Sequence, residues 1–143
     1  MGIIIFLLYT LGYGGSDVVI SVSFEASCLD NKNENKFTFT VANNSKRDIT
    51  VSKAFLFWKV SIKDINGNEL RPKRFIHSSK KLGDIVTVKG ESQLIVDTYS
   101  DFISQFDLSN EENYTIEFTY NSPRNATNIG EIRANILKLK PCP

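Results

Sequence analysis

Few residues in this chain could carry out catalytic chemistry. The only histidine, His77, precedes Ser78 and Ser79, and a hydrolase needs such a base beside its nucleophile. Neighbouring residues of an extended segment point in different directions, however, and the sequence lacks the strained G-x-S-x-G turn. Nothing among the sixteen acidic residues singles out the two facing carboxylates of a glycosidase. We therefore expect no enzymatic activity, no catalytic or metal-binding residue and no cofactor.

A cluster of acidic and amide residues surrounds Gly67, between Asp64 and Glu69. An EF-hand calcium loop needs glycine at its sixth position and glutamate at its twelfth, and this spacing does not provide them. Asn66-Gly67 is instead typical of a two-residue type I′ hairpin turn, in which both central residues have positive φ. The sequence favours a hairpin here over an ion site.

The densest positive charge lies in the segment from Arg71 to Gly83, RPKRFIHSSKKLG. Pro72 and the loss of alternation indicate a loop or an edge segment. One interpretation is a solvated loop whose lysines keep an edge strand from pairing with other chains; the other is a contact with an acidic partner. Nucleic acid is least favoured, because no platform of stacking aromatics accompanies the charge beyond Phe75. The candidate partner-binding residues are Arg71, Lys73, Arg74, His77, Lys80 and Lys81.

The two cysteines, Cys28 and Cys142, fall just after the first and the last predicted strands. These strands can run side by side in parallel in immunoglobulin-like sandwiches, which would bring the cysteines together. A bridge closing a loop of about 100 residues would contribute on the order of 4 to 5 kcal/mol in the chain-entropy model. In a secreted chain the sequence favours a disulfide, whereas in a cytosolic chain two unrelated thiols are favoured.

Length and composition indicate one ordinary globular domain. The chain has 143 residues, of which 41% are hydrophobic and 23% charged, and a domain of about this length can bury a proper core without metals. Seventeen basic and sixteen acidic residues give a net charge of +1, which supplies no global field for nucleic acid or an anionic membrane. A partner that is attracted by charge would therefore need a local patch of charged residues on the surface.

The first residues have the pattern of a secretory signal. The apolar run from Ile3 to Leu11 is too short to span a bilayer, which takes about 20 residues as a helix, and small residues follow it from Gly12 to Ser16. The alternative is an apolar first strand within the core. We expect residues 1–15 to be a signal-like segment, residues 16–143 to be one domain, and the protein to be secreted or extracytoplasmic without a stable membrane span.

Apolar residues alternate with polar ones along most of this domain, as in strands that are buried on one face only. We predict an all-β fold, an immunoglobulin-like antiparallel β-sandwich of about 7–8 strands with one short helical turn. In the last strand Leu137 falls out of phase with Ile132, and a bulge near Ile136 is expected. The predicted strands lie at Val18 to Glu25, Phe37 to Val41, Ile49 to Trp58 with a bend, Trp58 to Ile62, Val86 to Val88, Leu94 to Thr98, Tyr114 to Tyr120 and Ile132 to Leu139.

Two features are expected in the connection between the predicted strands Leu94 to Thr98 and Tyr114 to Tyr120: a plug at one end of the core and a tyrosine corner. The spacing of Phe102, Ile103 and Phe106 is closer to a helical turn than to a strand, and these residues are predicted to plug one end of the core. Tyr114 opens the most regular strand, the position of a tyrosine corner, whose hydroxyl bonds a backbone group a few residues upstream. Three N-x-S/T sites, at Asn43, Asn113 and Asn125, lie in predicted turns; roughly two would arise by chance in a chain with this many Asn, Ser and Thr residues, so the motif alone is a weak signal.

The order of several short phrases resembles a known family. The first phrase is an asparagine-serine turn after an alternating strand, and the last is A-N-I at Ala134 to Ile136. Between them lie D-x-x-G-x-E at Asp64 to Glu69, G-E-S at Gly90 to Ser92, F-D-L-S at Phe106 to Ser109 and Y-x-I-x-F-x-Y at Tyr114 to Tyr120. This order resembles the β-sandwich domain of deuterolysin-type peptidyl-Lys metalloendopeptidases and, more loosely, the bacterial intracellular proteinase inhibitor family. It covers Lys36 to Leu139. The zinc-binding H-E-x-x-H is absent, so the resemblance implies the fold and a non-catalytic role.

We therefore expect a secreted or surface-exposed module that binds another protein, for example a protease or a protease-associated partner. An alternative is a structural accessory domain that packs in an assembly. A second alternative is a carbohydrate-binding module, which would need exposed aromatic residues; Tyr99, Tyr120 and Phe75 are the candidates, and all three are predicted to belong to the core or its rim.

Overall fold

The computed structural model describes residues 17–56, 59–73 and 84–143. The expected signal-like segment lies outside the described residues, whereas the predicted all-β fold is confirmed. The described strands are β1 (Val18–Ser23), β2 (Asn35–Asn43), β3 (Ile49–Ser52), β4 (Lys59–Lys63), β5 (Ile85–Val88), β6 (Ser92–Ser100), β7 (Tyr114–Asn121), β8 (Glu131–Arg133) and β9 (Leu137–Leu139), with 3-10 helices at Lys53–Phe55 and Phe102–Gln105.

The strands form two main antiparallel sheets. One has the order β1-β2-β6, and in the other β7 pairs with β4 on one side and with β8 and β9 on the other. A separate pair joins β3 to β5. In immunoglobulin-like domains strands A, B and E share one sheet and strands C, F and G share the other, and the order found here corresponds to that arrangement.

Aromatic rings fill the space between the sheets. Phe118 of β7 lies 5.1 Å from Phe37 and 5.2 Å from Phe39 of β2, measured between ring centroids. All three side chains are 1% exposed or less. Buried and outward residues alternate along β2 and along β7 from Tyr114 to Phe118, as the period-two sequence pattern predicts.

The predicted strand from Ile49 to Trp58 is divided. β3, which pairs with β5, ends at Ser52, and a 3-10 helix follows. β4 begins at Lys59 and belongs to the sheet of β7. Phe55 and Leu56 are buried at this crossing, so their apolar run marks a change of sheet. Phe57 and Trp58 are outside the described part of the chain.

The hairpin after β4 is present, but the predicted type I′ turn is wrong. Lys63 pairs with Glu69, and Gly67 has a positive φ of 82° whereas Asn66 does not. The Asp64 carboxylate accepts N–H bonds from Asn66 and Asn68, both at 2.9 Å. These bonds stabilise a turn in which only the glycine has the left-handed conformation. The N–H of Asn68 is the largest cause that lowers the pKa of Asp64.

The predicted bulge in the last strand is confirmed. β8 pairs with β7 up to the pair Arg133 and Thr119, and β9 resumes the pairing at Leu137 and Ile116. The three residues 134–136 therefore lie opposite only two residues of β7, which is the definition of a bulge. Ile136 projects outward and is 54% exposed.

The end of the sandwich is closed as expected. The segment Phe102–Gln105 forms a 3-10 helix, and Ile103 is fully buried while Phe102 packs against the core. Tyr114 is buried, and its hydroxyl accepts a hydrogen bond from the Ser109 N–H at 2.8 Å. This is the upstream backbone bond of a tyrosine corner. Burial raises the pKa of Tyr114.

A disulfide joins Cys28 to Cys142, with their Cα atoms 4.9 Å apart. Beside it, the Leu29 N–H donates to the Lys140 carbonyl at 2.8 Å, and the Cys142 N–H donates to the Leu29 carbonyl at 2.7 Å. These two bonds form a short parallel bridge. The predicted disulfide is confirmed, and the segments that carry the cysteines run in parallel as expected.

Candidate binding surfaces

The structure describes only the start of the predicted basic contact. Arg71 and Lys73 are exposed, whereas Arg74, His77, Lys80 and Lys81 lie outside the described residues. The Lys73 N–H donates to the Gln105 carbonyl at 2.7 Å. Its ammonium group lies 3.6 Å from the Asp107 carboxylate, which is 94% exposed. Lys73, the last described residue before residue 84, is therefore held beside the plug of the sandwich.

Asp84, the first described residue after the basic segment, is a second fixed point. Asp84 has a positive φ of 59°, and its carbonyl accepts a hydrogen bond from the Lys53 N–H at 3.1 Å. β5 begins at the next residue. Main-chain bonds therefore fix the two residues that flank the undescribed part of the basic segment, Lys73 and Asp84, to the two 3-10 helices of the fold.

Two other kinds of site can be assessed for the described residues. Residues 17–56, 59–73 and 84–143 contain no group of three or more His, Cys, Asp or Glu side chains placed to hold a metal ion. In the same ranges, no helix has the length and apolar character needed to cross a bilayer.

An open groove of about 750 Å³ lies at the end of the sandwich where β1 begins. Asp17 and Asp48 line it together with Lys46 and Arg47, and Thr127 borders it. Charges of both signs lie close together here, so the groove does not favour one class of charged ligand.

Exposed apolar side chains concentrate on the outward face of the β1-β2-β6 sheet. Ile95 and Tyr99 of β6 are 61% and 60% exposed, and Val19 of β1 is 36% exposed. The prediction that Tyr99 belongs to the core or its rim is wrong, because Tyr99 falls on the outward phase of β6. Tyr120, which is 1% exposed, is in the core as predicted, and Phe75 is not in a described range.

The only charged residue of β6 is already paired. The Asp97 carboxylate accepts a hydrogen bond from the Thr38 hydroxyl at 2.8 Å and lies 3.5 Å from the Lys36 ammonium group. Both partners belong to β2, the neighbouring strand. The exposed face of β6 is therefore close to electrically neutral.

The orientation of the β6 backbone follows from its neighbours. Both main-chain polar groups of Val22 bond the Asn135 side chain, so they point away from Phe39, the residue opposite in β2. In antiparallel sheets such pairs alternate with hydrogen-bonded ones. The backbone groups of Phe39 therefore point to its other partner, Val96. By alternation, the N–H and C=O groups that point to the outer edge of β6 belong to Gln93, Ile95, Asp97 and Tyr99.

Groups of the chain itself close three other strand edges. On β1, the Asn135 amide accepts from the Val22 N–H at 2.7 Å and donates to the Val22 carbonyl at 3.0 Å. On β3, Thr127 accepts from the Thr50 N–H at 2.8 Å and donates its own N–H to the Thr50 carbonyl at 3.2 Å. On β4, the Leu70 N–H donates to the Ile62 carbonyl at 2.8 Å. The described residues supply β6 with only one strand partner, β2.

The three N-x-S/T motifs have different surroundings, and Asn43 is the last residue of β2 and not part of a turn. Asn43 is fully buried, and its amide donates to the carbonyls of Arg47, Val88 and Lys89. It fixes the turn after β2 against the turn before β6. Asn113 and Asn125 are exposed. In the folded protein, the Asn43 side chain is therefore not accessible for modification, unlike the side chains of the other two motifs.

No protein-family model matches the chain, and no curated protein sequence matches it. Among solved structures, the chain is similar to a structural genomics target named SoR45, with 13% identity, 87% of each chain covered and a TM-score of 0.44. It is also similar to the yjhA protein from Bacillus subtilis, with 14% identity, 85% of this chain and 83% of that chain covered, and a TM-score of 0.34. At these values neither similarity carries information about function, and the resemblance to the metalloendopeptidase sandwich domain stays a prediction.

Proposed function

We propose that this protein is an extracytoplasmic, non-catalytic immunoglobulin-like module that binds an acidic surface of another protein through its basic segment, residues 71–81. The observation that carries the proposal is the fixation of this segment at both ends. Lys73 bonds the main chain of Gln105, and Asp84 bonds the main chain of Lys53. Loops held in this way by a rigid scaffold are the usual binding elements of sandwich domains.

Charge supports an acidic partner. The segment contains five Lys and Arg residues and no Asp or Glu, in a chain whose net charge is only +1. The rest of the chain is therefore net negative, and the protein has a polarised charge distribution. Such a distribution orients a charged partner during association.

The described contact of Lys73 leaves its charge available. Its ion pair with Asp107 joins side chains that are 54% and 94% exposed, and exposed pairs of this kind contribute roughly 0 to 1 kcal/mol. A carboxylate of a partner could therefore replace Asp107 at little cost.

The disulfide supports the extracytoplasmic location. Structural disulfides persist in oxidising compartments and are rare in the cytosol. A parallel main-chain bridge lies beside the Cys28–Cys142 disulfide. Main-chain hydrogen bonds therefore also hold these two segments together.

The experiment compares capture of partner proteins from the native secretome by two variants. The first neutralises the segment by changing Arg71, Lys73, Arg74, Lys80 and Lys81 to Ser. The control changes five exposed cationic residues elsewhere: Lys32, Lys46, Arg47, Lys59 and Lys63. We expect the first variant to lose capture at an unchanged melting temperature and the control to retain it. Equal capture by wild type and the first variant would exclude the segment as the contact.

A further inference from the structure

We propose that the outer edge of β6 is an interface between two copies of this chain. The two β6 strands would pair antiparallel, so that two three-stranded sheets become one continuous six-stranded sheet. This interface does not use the basic segment and is independent of the function proposed above.

The first argument is that β6 lacks the usual protection of an edge strand. It has nine residues, SQLIVDTYS, with no lysine, proline or glycine, and edge strands are normally protected by short length, lysine, proline or bulges. Most strands have about five or six residues. Long, apolar, unprotected edges pair with other chains, and Ile95 and Tyr99, at 61% and 60% exposed, make this edge apolar.

Three other strand edges, those of β1, β3 and β4, are covered by groups of the chain itself. Asn135 covers β1, Thr127 covers β3, and the chain at Leu70 covers β4. Each of these groups bonds the outward N–H or C=O of a strand residue. Within the described ranges, β6 is longer than each of these three strands, and its outer edge has no such cover.

The second argument is that β6 is complementary to itself. In an antiparallel register with full overlap, Val96 lies opposite Val96 of the second copy. Gln93 then lies opposite Tyr99, and Ile95 lies opposite Asp97. No like charges are directly opposed. The two Asp97 residues are diagonal neighbours, and each keeps its pairing with Lys36 and Thr38 of its own chain, which offsets its charge. Diagonal neighbours in a sheet are within reach of long and aromatic side chains, so Ile95 would contact both Ile95 and Tyr99 of the second copy.

The backbone groups fit the same register. The outward N–H and C=O groups belong to Gln93, Ile95, Asp97 and Tyr99, and this register places each of them opposite another member of the same set. Since each such pair exchanges two hydrogen bonds, full overlap gives roughly eight main-chain bonds between the copies. A second copy necessarily matches this edge in length and in its set of outward groups.

The test measures molecular mass against protein concentration by sedimentation equilibrium. We expect wild type to change from the mass of one chain to the mass of two as concentration rises. The variant Ile95→Pro removes an outward N–H and none of the bonds to β2, and should keep the mass of one chain. The control Thr40→Lys changes the outward face of the central strand, opposite Ile95, and should still form the dimer.

Hydrogen exchange gives a second measurement, which needs no variant. The N–H groups of Ile95 and Asp97 should exchange at least about ten times more slowly in the dimer than in the dilute monomer. Those of Leu94 and Val96 bond β2 and should be protected at both concentrations. A protein that keeps the mass of one chain at every concentration, with Ile95 and Asp97 unprotected, would overturn the proposal. A dimer that survives Ile95→Pro but dissociates in Thr40→Lys would overturn it as well, because it would pair by the sheet face.

Discussion

The side chain of Asn135 hydrogen-bonds both polar groups of the Val22 main chain, at 2.7 Å and 3.0 Å, across a separation of 113 residues. A side-chain amide has the same donor and acceptor as a peptide group, so Asn135 takes the place of one residue of a neighbouring strand. It does so from the bulge between β8 and β9, which projects it towards β1. The two sheets are therefore joined by side-chain to main-chain hydrogen bonds as well as by the packing of the core.

Loss of this amide should destabilise the fold. We expect Asn135→Ala to lower the free energy of unfolding by about 1 to 3 kcal/mol, since two hydrogen bonds of ordinary net value are lost. The midpoint of urea unfolding measures the change. Asn113→Ala, at another exposed asparagine, is the control and should change the free energy of unfolding by less than about 0.5 kcal/mol. Equal midpoints for the two variants would contradict a structural role for Asn135.

The tyrosine corner gives a second prediction. Tyr114→Phe removes the acceptor of the Ser109 N–H bond and leaves the buried ring in place. The free energy of unfolding should therefore fall by about 1 kcal/mol. Tyr99→Phe removes a hydroxyl from an exposed ring and should leave the melting curve unchanged. A Tyr114→Phe protein that melts with wild type would show that the corner contributes nothing to stability.

Alkaline pH should destabilise the fold through Tyr120. Burial raises the pKa of this phenol above the ordinary value of 10.0. Above pH 10 the unfolded chain therefore releases this proton more readily than the folded one, and stability is complete below that pH and falls as the pH rises further. Tyr120→Phe should reduce the fall, measured by urea unfolding between about pH 9.5 and 11. Identical slopes for the two proteins would contradict this effect of burial.

Removing the disulfide should cause the largest loss of stability. The bridge spans 114 residues, and the chain-entropy model gives a loop of this size about 4 to 5 kcal/mol. The double variant Cys28→Ser, Cys142→Ser should show this loss in urea unfolding. Reductant should produce the same loss in wild type and no change in the double variant. Two free thiols in correctly secreted wild-type protein, found by mass spectrometry without reduction, would contradict the bridge.

The sequence predicts the strands of this fold because burial alternates along them residue by residue. Val18, Ile20 and Val22 are buried while the residues between them are exposed, and the change of phase between Ile132 and Leu137 locates the bulge. The turn after β4 was predicted with the wrong type because the Asp64 side chain caps it in another conformation. Apolar periodicity therefore predicts the strands and the bulge. The conformation of the turn depends instead on the hydrogen bonds of the Asp64 side chain.

The closure of the strand edges could not be predicted in this way. Asn135 bonds a residue 113 positions away, and Thr127 bonds Thr50 across 77 positions, so no short segment contains both partners. The edge of β6 is different, because its length and lack of protecting residues can be found in SQLIVDTYS itself. What the sequence alone does not provide is that the edges of β1, β3 and β4 are covered. For the basic contact, the charges could be predicted, and the structure adds the fixed ends at Lys73 and Asp84.

The position of the disulfide has a mechanical consequence. Asp17 lies at one end of β1, and Cys28 follows the other end, where it is bonded to Cys142. A pulling force applied between Asp17 and Cys142 therefore runs through β1 and the sulfur atoms, and does not load the chain between Cys28 and Cys142. Tension could detach β1 from β2 and from Asn135, but it could not extend the remaining strands until the disulfide was reduced.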